Sequence, residues 1–392
     1  MNNGEGIKMG MFVFNTAPSV ICGAGSLSQT GQLLADRGAA RVLVVTDPGI
    51  KELGLLSGLE QSLKQAGIAF WVFSKVCPDP SDAIVQQALS MAREHNIEAV
   101  IGIGGGSSMD VAKLVALLTE SEQSLEQVYG VGLAKGTRLP LIQVPTTSGT
   151  GSEVTPVAII TTGSSTKKGV VSPLLLPDIA LLDVELTLGL PAAVTAATGI
   201  DAMIHAIEAY TSQHKKNPLS DSLARQALAL LSSNIMTAVH QGDQIEAREK
   251  MLLGSMLAGQ AFANAPVAAV HALAYPLGGH FHIPHGLSNS LVLPQVMRFN
   301  ASVAAEQYAE LAQIIDPGIA TGSAEAMTEA LISALERLIQ ALGLPNRLRD
   351  MNITRDQLPL LATDAMEQQR LLANNPREVT YEAALAIYQR AY

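Results

Sequence analysis

Cysteine is scarce in this sequence. Two cysteines, Cys22 and Cys77, occur in 392 residues, and they do not form a C-x-x-C pair. This spacing gives little support to a thiolate metal site or to a disulfide framework. We expect both residues to be reduced thiols, as in a cytoplasmic protein.

Large basic clusters are also missing. The chain has 25 Lys and Arg against 35 Asp and Glu, and its longest basic runs are Lys167-Lys168 and Lys215-Lys216. A protein that binds nucleic acid usually carries a basic face. The formal net charge of −10 therefore predicts no nucleic-acid partner.

Signals for targeting or for a membrane are weak. Residues 1–10 are polar and rich in glycine, so we expect no targeting segment there. Residues 251–279 carry no charge and are long enough to span a bilayer, but Gln260, Asn264 and Pro266 interrupt them. We predict that this stretch forms buried core helices and that the protein has no membrane partner.

Apolar residues are plentiful, at 48% of the chain, and a chain of this length predicts two domains. The first half alternates short apolar runs with helical patterns at 55–66 and 82–95. This alternation predicts βαβ units and a parallel sheet in an α/β N-terminal domain. The predicted strands are 41–46, 69–73, 99–103 and 139–144.

The pattern changes after about residue 190. Ala, Leu, Ile and Met then recur at helical spacing, which predicts an all-α C-terminal domain. We place the boundary near Gly189-Leu190-Pro191, so that the two predicted domains are residues 1–190 and 191–392. The predicted helices of the second half are 198–212, 218–239, 247–264, 304–315, 324–342 and 381–391.

A glycine cluster follows the predicted strand 99–103. Gly104, Gly105 and Gly106 would let a ligand approach the backbone closely, and Ser107 and Ser108 could cap the following helix. The free N–H groups of that helix suit a pyrophosphate. The segment matches neither the G-x-G-x-x-G fingerprint nor a Walker loop. An ordinary strand-to-helix turn would explain the glycines equally well.

Two further features favour a dinucleotide. Asp47 ends the first predicted strand, where a carboxylate can accept hydrogen bonds from a ribose and repel a 2′-phosphate. A cap or turn before Pro48 is the alternative role for Asp47. The run PTTSGTGSE, at residues 145–153, follows another strand with five hydroxyls and two glycines. Surface loops are rarely so rich in hydroxyls, so this run favours binding of phosphate and nicotinamide.

A carboxylate and an imidazole lie one helical turn apart in the second half. Asp201 and His205 have i, i+4 spacing, so they share a helical face and could chelate a divalent cation. Thr198 and Asp201 also have capping-box spacing, which predicts a helix start at Thr198. Taken alone, this pair is explained better by a cap and a structural histidine.

Four of the eight histidines fall within residues 271–285. One aspartate with two or three histidines would hold Fe(II) or Zn(II) and leave a position for substrate. The four compete for that role. We favour His271, which lies in a helical pattern, and His285, which lies between Pro284 and Gly286. We expect His280 and His282 to support the site or the fold.

The segments GGGSSMD, PTTSGTGSE, GIDAMIHAIEAY and HALAYPLGGHFHIPHG occur in this order, and NNPREVT lies near the end. Together they resemble the iron-containing (group III) alcohol dehydrogenase family, from about residue 12 to residue 392. The resemblance implies an N-terminal dinucleotide-binding α/β domain with a parallel sheet and an all-helical C-terminal domain. It places the active site in the cleft between them.

The resemblance also implies site residues, position by position. The implied metal ligands are Asp201, His205, His271 and His285. The implied cofactor contacts are Asp47, Gly104, Gly105, Gly106, Ser107, Asp110, Thr146, Thr147, Ser152 and Lys168. Several members carry a further histidine where this sequence has Tyr275. We therefore expect Tyr275, His280 or water to relay the substrate proton.

The implied function is hydride transfer between NAD and a small primary alcohol or aldehyde, whose oxygen is activated by a divalent metal, Fe(II) or else Zn(II). The resemblance and the apolar segment 12–20 predict a homodimer with an edge strand at its interface. Three alternatives remain: a lyase of the dehydroquinate-synthase type, a maleylacetate-type reductase without a metal, and a nucleotide-binding protein without activity. The weak basic character of the helical half and the intact ligand set weigh against them.

Overall fold

A computed structural model describes residues 11–163 and 166–392, so the expectation for residues 1–10 lies outside the described residues. The strands are β1 (Ser19–Cys22), β2 (Arg41–Val45), β3 (Ala69–Phe73), β4 (Ala99–Gly104), β5 (Gly130–Val131), β6 (Leu141–Pro145), β7 (Val157–Thr162), β8 (Thr166–Val171) and β9 (Ile179–Leu182). The helices are α1 (Thr30–Ala35), α2 (Pro48–Glu52), α3 (Ser57–Gln65), α4 (Asp82–Glu94), α5 (Gly106–Leu118), α6 (Leu125–Val128), α7 (Ala192–Thr211), α8 (Pro218–His240), α9 (Ile245–Asn264), α10 (Ala269–Phe281), α11 (His285–Ile315), α12 (Ala324–Ala341), α13 (Leu358–Met366), α14 (Gln369–Leu372) and α15 (Tyr381–Ala391).

A six-stranded parallel sheet forms the centre of the first half. Its order is β1-β9-β6-β4-β2-β3, and β4 is buried along its whole length. Strands of a parallel sheet covered on both faces are apolar runs, which is why the sequence pattern identified them. The four predicted strands are confirmed. Since β2, β4 and β6 run in the same direction, the loops that follow them meet at one edge of the sheet.

A second, three-stranded sheet was not predicted. Its order is β5-β8-β7, and β7 pairs with β8 in antiparallel register. Alternate side chains of a strand point to opposite faces, so Lys167 and Lys168 of β8 lie on different sides of this sheet. This small sheet lies next to the functional cleft described below.

The described chain is helical from α7 onward, which confirms the predicted all-α half. However, α7 begins at Ala192, before the expected start at Thr198. Thr198 is an interior residue whose hydroxyl donates to the carbonyl of Val194 at 2.9 Å, so the predicted capping box is wrong. The alanines that precede Thr198 are strong helix formers and extend the helix towards its N-terminus.

Helix α11 is longer than predicted. It spans His285–Ile315, whereas the sequence pattern predicted only residues 304–315. Pro294 lies inside this helix and Pro276 lies inside α10. Proline usually ends a helical pattern, so Pro294 concealed the first half of α11, whereas most of α10 lies in the stretch 251–279 that was predicted to form core helices.

Residues 251–279 form most of α9 and most of α10, and they are largely buried, as predicted. No helix among the described residues is long and apolar enough to cross a membrane. The predicted domain boundary, near residues 189–191, lies between the last strand, β9, and α7.

Candidate metal and cofactor site

The four predicted metal ligands come together in the helical half. One ligand atom from each of Asp201, His205, His271 and His285 lies within 4.8 Å of the others. Helix α7 carries the first two, α10 carries His271, and His285 is the first residue of α11. Three helices thus bring one carboxylate oxygen and three imidazoles to one point.

Two of the imidazoles are fixed through their Nδ1 atoms. His205 Nδ1 donates to the carbonyl of Gly149 at 3.1 Å, and His271 Nδ1 donates to Glu208 Oε2 at 2.6 Å. With Nδ1 protonated in both rings, the Nε2 atom of each imidazole keeps a free lone pair that can bind a metal. His271 Nε2 is buried and has no hydrogen-bond partner among the described residues. A buried acceptor without a partner is costly, and a cation in this position would satisfy it.

Glu208 and Asn289 support the ligands and were not predicted. Glu208 also accepts hydrogen bonds from the backbone N–H groups of Ala268 and Val270, at 3.0 and 2.7 Å. Asn289 Nδ2 donates to Asp201 Oδ1 at 2.6 Å. Glu208 lies three residues after His205, and Asn289 lies four residues after His285. Helical spacing from a proposed ligand is the signal that could have found both.

The charge states of Asp201 and His205 suit a metal. Burial lowers the pKa of His205 to about 3, which keeps this imidazole neutral. Burial opposes ionisation of Asp201, but the neighbouring histidines and the hydrogen bond from Asn289 hold its pKa below the usual value. Burial alone would lower the pKa of His271, and Glu208 raises it instead. A carboxylate with imidazole nitrogens is a donor set for Fe(II) or Zn(II). The residues present therefore fit a divalent metal.

The glycine loop links β4 to α5. Gly104 has a φ of +145°, a backbone conformation that side chains rarely adopt. A Cβ on Gly106 would lie 2.9 Å from Thr150 Cγ2, so this position has no room for a side chain. Gly105 is the N-cap residue of α5, which places Ser107 and Ser108 inside the helix and makes their predicted capping role wrong. The first turn of α5 remains available to an anion.

The hydroxyl run lies between the glycine loop and the metal ligands. Thr146 and Thr147 follow β6, and Thr147 lies beside Gly105. Gly149, whose carbonyl holds His205, packs so closely on α7 that a Cβ would lie 2.7 Å from Thr198 Cβ. This loop therefore contacts both halves of the site.

The end of the hydroxyl run at Ser152 is held by hydrogen bonds with two polar side chains of α5, Asp110 and Lys113. Ser152 Oγ donates to Asp110 Oδ1 at 2.7 Å and receives a hydrogen bond from Lys113 Nζ, also at 2.7 Å. Lys113 is fully buried and was not predicted. It lies three residues after Asp110 on α5, a helical spacing that could have identified it.

Asp47 lies beside the glycine loop and also caps a helix. Its Oδ1 accepts a hydrogen bond from the N–H of Ile50 at 3.0 Å, so it is the N-cap of α2. Its Oδ2 lies 3.1 Å from the position that a Cβ on Gly104 would take. The alternative role as a cap is thus correct, and contact with a ribose stays a prediction.

One cavity of about 330 Å³ is lined by residues of both loops and by three of the four metal ligands. It is not lined by Asp47, Gly104, Gly105, Thr146, Thr147 or Asp201, which were also predicted as site residues. Its walls from the first half include Gly106, Ser107, Asp110 and Ser152. Its walls from the second half include His205, His271, Tyr275 and His285. The structure therefore brings the loop residues and the metal ligands into a single cleft.

The two predicted proton relays differ in position. Tyr275 lines the cleft with its ring centroid 6.1 Å from that of His285, and burial raises the pKa of its phenol. His280 lies nine residues after His271, so the two side chains lie on opposite faces of α10. Its Nε2 pairs with Asp364 of α13, and His280 is not among the residues that line the cleft. The structure does not bring His280 to the site.

Lys168 also lies outside the cleft. It is exposed on β8, whereas its neighbour Lys167 lines the cleft and pairs with Asp79. The alternation of side chains along a strand explains the difference. Of the two lysines, the geometry favours Lys167 for contact with a ligand in the cleft.

Comparison with known proteins agrees with this arrangement. Residues 17–184 match the family described as "Iron-containing alcohol dehydrogenase", and residues 195–392 match "Fe-containing alcohol dehydrogenase family, C-terminal". The long-chain-alcohol dehydrogenase 1 of Geobacillus thermodenitrificans is 40% identical over 94% of each chain. A crystal structure of 1,3-propanediol oxidoreductase has a TM-score of 0.95 at 34% identity, covering 98% of this chain and 100% of its own. The sulfoacetaldehyde reductase of Bifidobacterium kashiwanohense, solved with NAD⁺, has a TM-score of 0.88 at 30% identity, covering 98% and 99%.

Proposed function

The chain belongs to the iron-containing alcohol dehydrogenase family, and we propose that it transfers hydride between NAD and a small primary alcohol or aldehyde. The observation that carries this proposal is the shared cleft, where the glycine and hydroxyl loops meet the Asp/His₃ set. The dehydroquinate-synthase and maleylacetate alternatives gain no support from the relatives described above. A metal-independent mechanism would also leave the clustered ligands without a role.

Asp201, His205, His271 and His285 would hold the metal, for which we propose Fe(II), with Zn(II) as the alternative. When bound, a divalent metal acts as a Lewis acid towards the substrate oxygen. The protein supplies the orientation of the ligands. Glu208 and Gly149 fix two imidazole rings, and Asn289 fixes the carboxylate.

NAD would bind along the edge of the sheet where β2, β4 and β6 end. Its nicotinamide ring would accept the hydride. The first turn of α5 presents free N–H groups to the pyrophosphate. The hydroxyl run and Asp110 would hold the nicotinamide end, because they adjoin the metal ligands. The proposed contacts are Asp47, Gly104, Gly105, Gly106, Ser107, Asp110, Thr146, Thr147 and Ser152, with Lys167 in place of Lys168.

Tyr275 is the proposed polar contact for the substrate oxygen. Because burial raises its pKa, the phenol stays protonated at neutral pH and donates a hydrogen bond rather than accepting a proton. Phe262, whose ring stacks on His205 with centroids 4.4 Å apart, covers the site with an apolar surface. These side chains would exclude bulk water from the reacting atoms.

The test is a panel of short primary alcohols, diols and hydroxy acids with NAD⁺, followed by NADH absorbance. The purified protein is loaded separately with Fe(II), Zn(II), Mn(II) and Co(II). We expect NADH formation with at least one primary alcohol and one metal. A protein that binds metal and NAD but forms no NADH in any combination would contradict the proposal.

We also propose a homodimer. Strand β1 is an edge of the six-stranded sheet, and Met11, Val13 and Val20 near it are exposed apolar residues. An edge strand beside exposed apolar side chains is suited to pairing with a second copy. Light scattering at micromolar concentration should give the mass of a dimer, and the mass of a monomer would contradict this proposal.

The two cysteines favour a cytoplasmic location, which we also propose. Cys22 and Cys77 are both exposed and unpaired. Exposed thiols of this kind persist in a reducing compartment. Fractionation of the producing cells should place the protein with the cytoplasmic fraction.

A further inference from the structure

Lys113 is a fully buried cation, and the reaction proposed above leaves it without a role. It lies on α5, three residues after Asp110. Its Nζ donates to Ser152 Oγ at 2.7 Å, to Thr155 Oγ1 at 3.1 Å and to the carbonyl of Val157 at 2.7 Å. An ammonium group has three N–H donors, so these three bonds use all of them. The side chain is therefore held in one position behind the hydroxyl run.

The direction of the hydrogen bonds around Lys113 follows from its chemistry. Because an ammonium group can only donate, Ser152 Oγ accepts from Lys113, and the O–H of Ser152 donates to Asp110 Oδ1 at 2.7 Å. Asp110 Oδ2 accepts from the N–H of Ile159 at 2.9 Å. Asp110 thus accepts from both of these partners, which is the pattern of an ionised carboxylate.

The charge of Lys113 also supports the ionised form of Asp110. Lys113 Nζ lies 3.7 Å from Asp110 Oδ1. Burial raises the pKa of Asp110, and the positive charge of Lys113 opposes this rise. Burial lowers the pKa of Lys113 to about 8, so the side chain is still a cation at neutral pH. Glu153 also acts on Lys113, but of these two acids Asp110 is the one that lines the cleft.

The chain of hydrogen bonds that starts at Lys113 ends at the cleft. Asp110 and Ser152 both line it, whereas Lys113 lies behind them. The two oxygens of an ionised carboxylate offer about four lone-pair sites, and the two protein bonds leave some of them free. A group that binds to Asp110 from the cleft must therefore donate a hydrogen bond. In NAD, the carboxamide of the nicotinamide and the hydroxyls of the adjoining ribose are such donors.

Resting on the function proposed above, we infer that Lys113 is a positioning residue for the nicotinamide end of the cofactor. It acts through Ser152 and Asp110, which it holds so that Asp110 accepts a hydrogen bond from the nicotinamide or its ribose. The adenosine and pyrophosphate bind at the glycine loop and do not depend on this chain. Loss of the cation would leave Ser152 without its donor and Asp110 without its counter-ion.

The test compares two ligands in the metal-loaded enzyme. NAD⁺ carries the nicotinamide and its ribose, whereas ADP carries only the adenosine and the two phosphates. In Lys113→Met, which has a side chain of similar length without the charge, the Kd for NAD⁺ should rise about tenfold or more, the effect of one hydrogen bond to a charged group. The Kd for ADP and the metal content should not change. Calorimetric titration measures both affinities, and an equal change for the two ligands, or no change for either, would overturn the inference.

Arg138→Met is the matched control. Arg138 is a largely buried cation of the same half, and it bonds to Asp178 at 2.6 Å and to the carbonyl of Leu176. It precedes β6, so it lies at the edge of the sheet opposite the cofactor loops. Its loss should lower the stability to denaturant, yet the ratio of the NAD⁺ and ADP affinities should stay that of the wild type. A general loss of stability would therefore not imitate the effect of Lys113→Met.

Ser152→Ala tests the same chain without removing a charge. It breaks the link between Lys113 and Asp110, so it should weaken NAD⁺ relative to ADP. The double variant Lys113→Met/Ser152→Ala should bind NAD⁺ little more weakly than Ser152→Ala, because both changes interrupt one chain. Fully additive losses would mean that Lys113 acts by another route and would overturn the inference. If Lys113→Met does not fold, Ser152→Ala decides alone, and an unchanged ratio of affinities then overturns the inference.

Kinetics separate this inference from the proposed function, because the binding test needs no turnover. With an alcohol that reacts, Lys113→Met should raise KM for NAD⁺ about tenfold and leave KM for the alcohol unchanged. If NADH forms but NAD⁺ and ADP respond alike to Lys113→Met, the inference alone fails. If the two ligands respond differently but no alcohol ever gives NADH, the proposed function fails and the role of Lys113 in binding stands.

Discussion

The two halves of the molecule hold their functional groups in different ways. In the α/β half, the groups are backbone N–H donors and hydroxyls in two loops, and each loop is a continuous segment after a strand. In the helical half, the groups are four side chains on three helices. A binding site made of backbone N–H groups needs glycine and a fixed turn. A metal site needs particular side chains at matching positions along packed helices.

The two halves also differ in the pKa of a buried carboxylate. Glu153, in the hydroxyl run, is fully buried, and burial raises its pKa to about 7. Asp201 is just as buried, yet three histidines and Asn289 hold its pKa below the usual value. A carboxylate that stays ionised inside a protein needs several partners, and of these two carboxylates Asp201 is the one that has them. This difference separates a metal ligand from a carboxylate of the framework.

The largest expected effect is loss of a ligand. His271→Ala should lose bound metal and nearly all turnover, while the affinity for NAD survives because the glycine loop belongs to the other half. Metal analysis and NAD titration of the same sample measure both. His282→Asn is the control, since His282 lies on the same segment, is exposed and has a positive φ that asparagine tolerates. Full metal content in His271→Ala would refute the site.

The buried Glu153 gives a prediction for pH. Its folded pKa of about 7 lies above the usual 4.5, so the folded state holds the proton more tightly. The resulting stability is complete below about pH 4.5 and is lost as the pH rises through 7. This loss is roughly 3 kcal/mol of unfolding free energy. Denaturant unfolding should show a flatter pH profile for Glu153→Gln, whereas the exposed-site control Glu120→Gln should follow the wild type.

The variant Glu208→Gln tests how strongly metal affinity in the helical half depends on the side chain that holds His271. Glu208→Gln keeps the shape of the side chain but weakens the bond to His271 Nδ1 and the two bonds from the backbone. Loss of such a partner typically costs about 10- to 100-fold in metal affinity or activity. A metal titration in the presence of a competing chelator measures the change. An unchanged metal affinity would mean that Glu208 only stabilises the fold.

Gly106→Ala tests the α/β half in the same way. The added Cβ would lie 2.9 Å from Thr150 and push the glycine and hydroxyl loops apart. We expect the Kd for NAD to rise about tenfold, roughly 1.4 kcal/mol, with no loss of metal. Gly58→Ala in α3 is the control, because its nearest neighbour would be 3.8 Å away. Loss of metal from Gly106→Ala would show that the two halves are not separable.

The smallest expected effect concerns the choice of cofactor. The wild type should prefer NAD over NADP by at least about tenfold in kcat/KM, roughly 1.4 kcal/mol. Asp47→Asn keeps a capping side chain for α2 and removes the charge, so it should narrow the preference. Equal kcat/KM values for NAD and NADP in the wild type would exclude this role for Asp47.

The same contrast explains what could be predicted from the sequence. The strands β2, β3 and β4 and the four ligands were predicted because each depends on a local pattern or on the family resemblance. Glu208, Asn289 and Lys113 were missed, because their roles depend on what packs against them. Lys168 was predicted as a cofactor contact, but Lys167 is the lysine that lines the cleft. The pairing of β7 with β8, which was not predicted, decides which of the two lysines faces the cleft.

A proline and a run of alanines account for the errors in the helices. Pro294 concealed the first half of α11, although packing in the helical core tolerates this proline. Alanine before Thr198 moved the start of α7 away from the apparent cap. At Pro294 tertiary packing overrode a local signal, whereas at the start of α7 the helix propensity of the alanines outweighed the apparent cap.

The central claim is that one cleft joins NAD to an alcohol held at the metal ligands, so that hydride passes directly between them. The most direct measurement uses the Fe(II)-loaded enzyme, NAD⁺ and a primary alcohol with two deuterium atoms on its reacting carbon. Mass spectrometry of the NADH should show one deuterium for each molecule formed, with none lost to water. NADH without deuterium, or an aldehyde formed without NADH, would contradict the account.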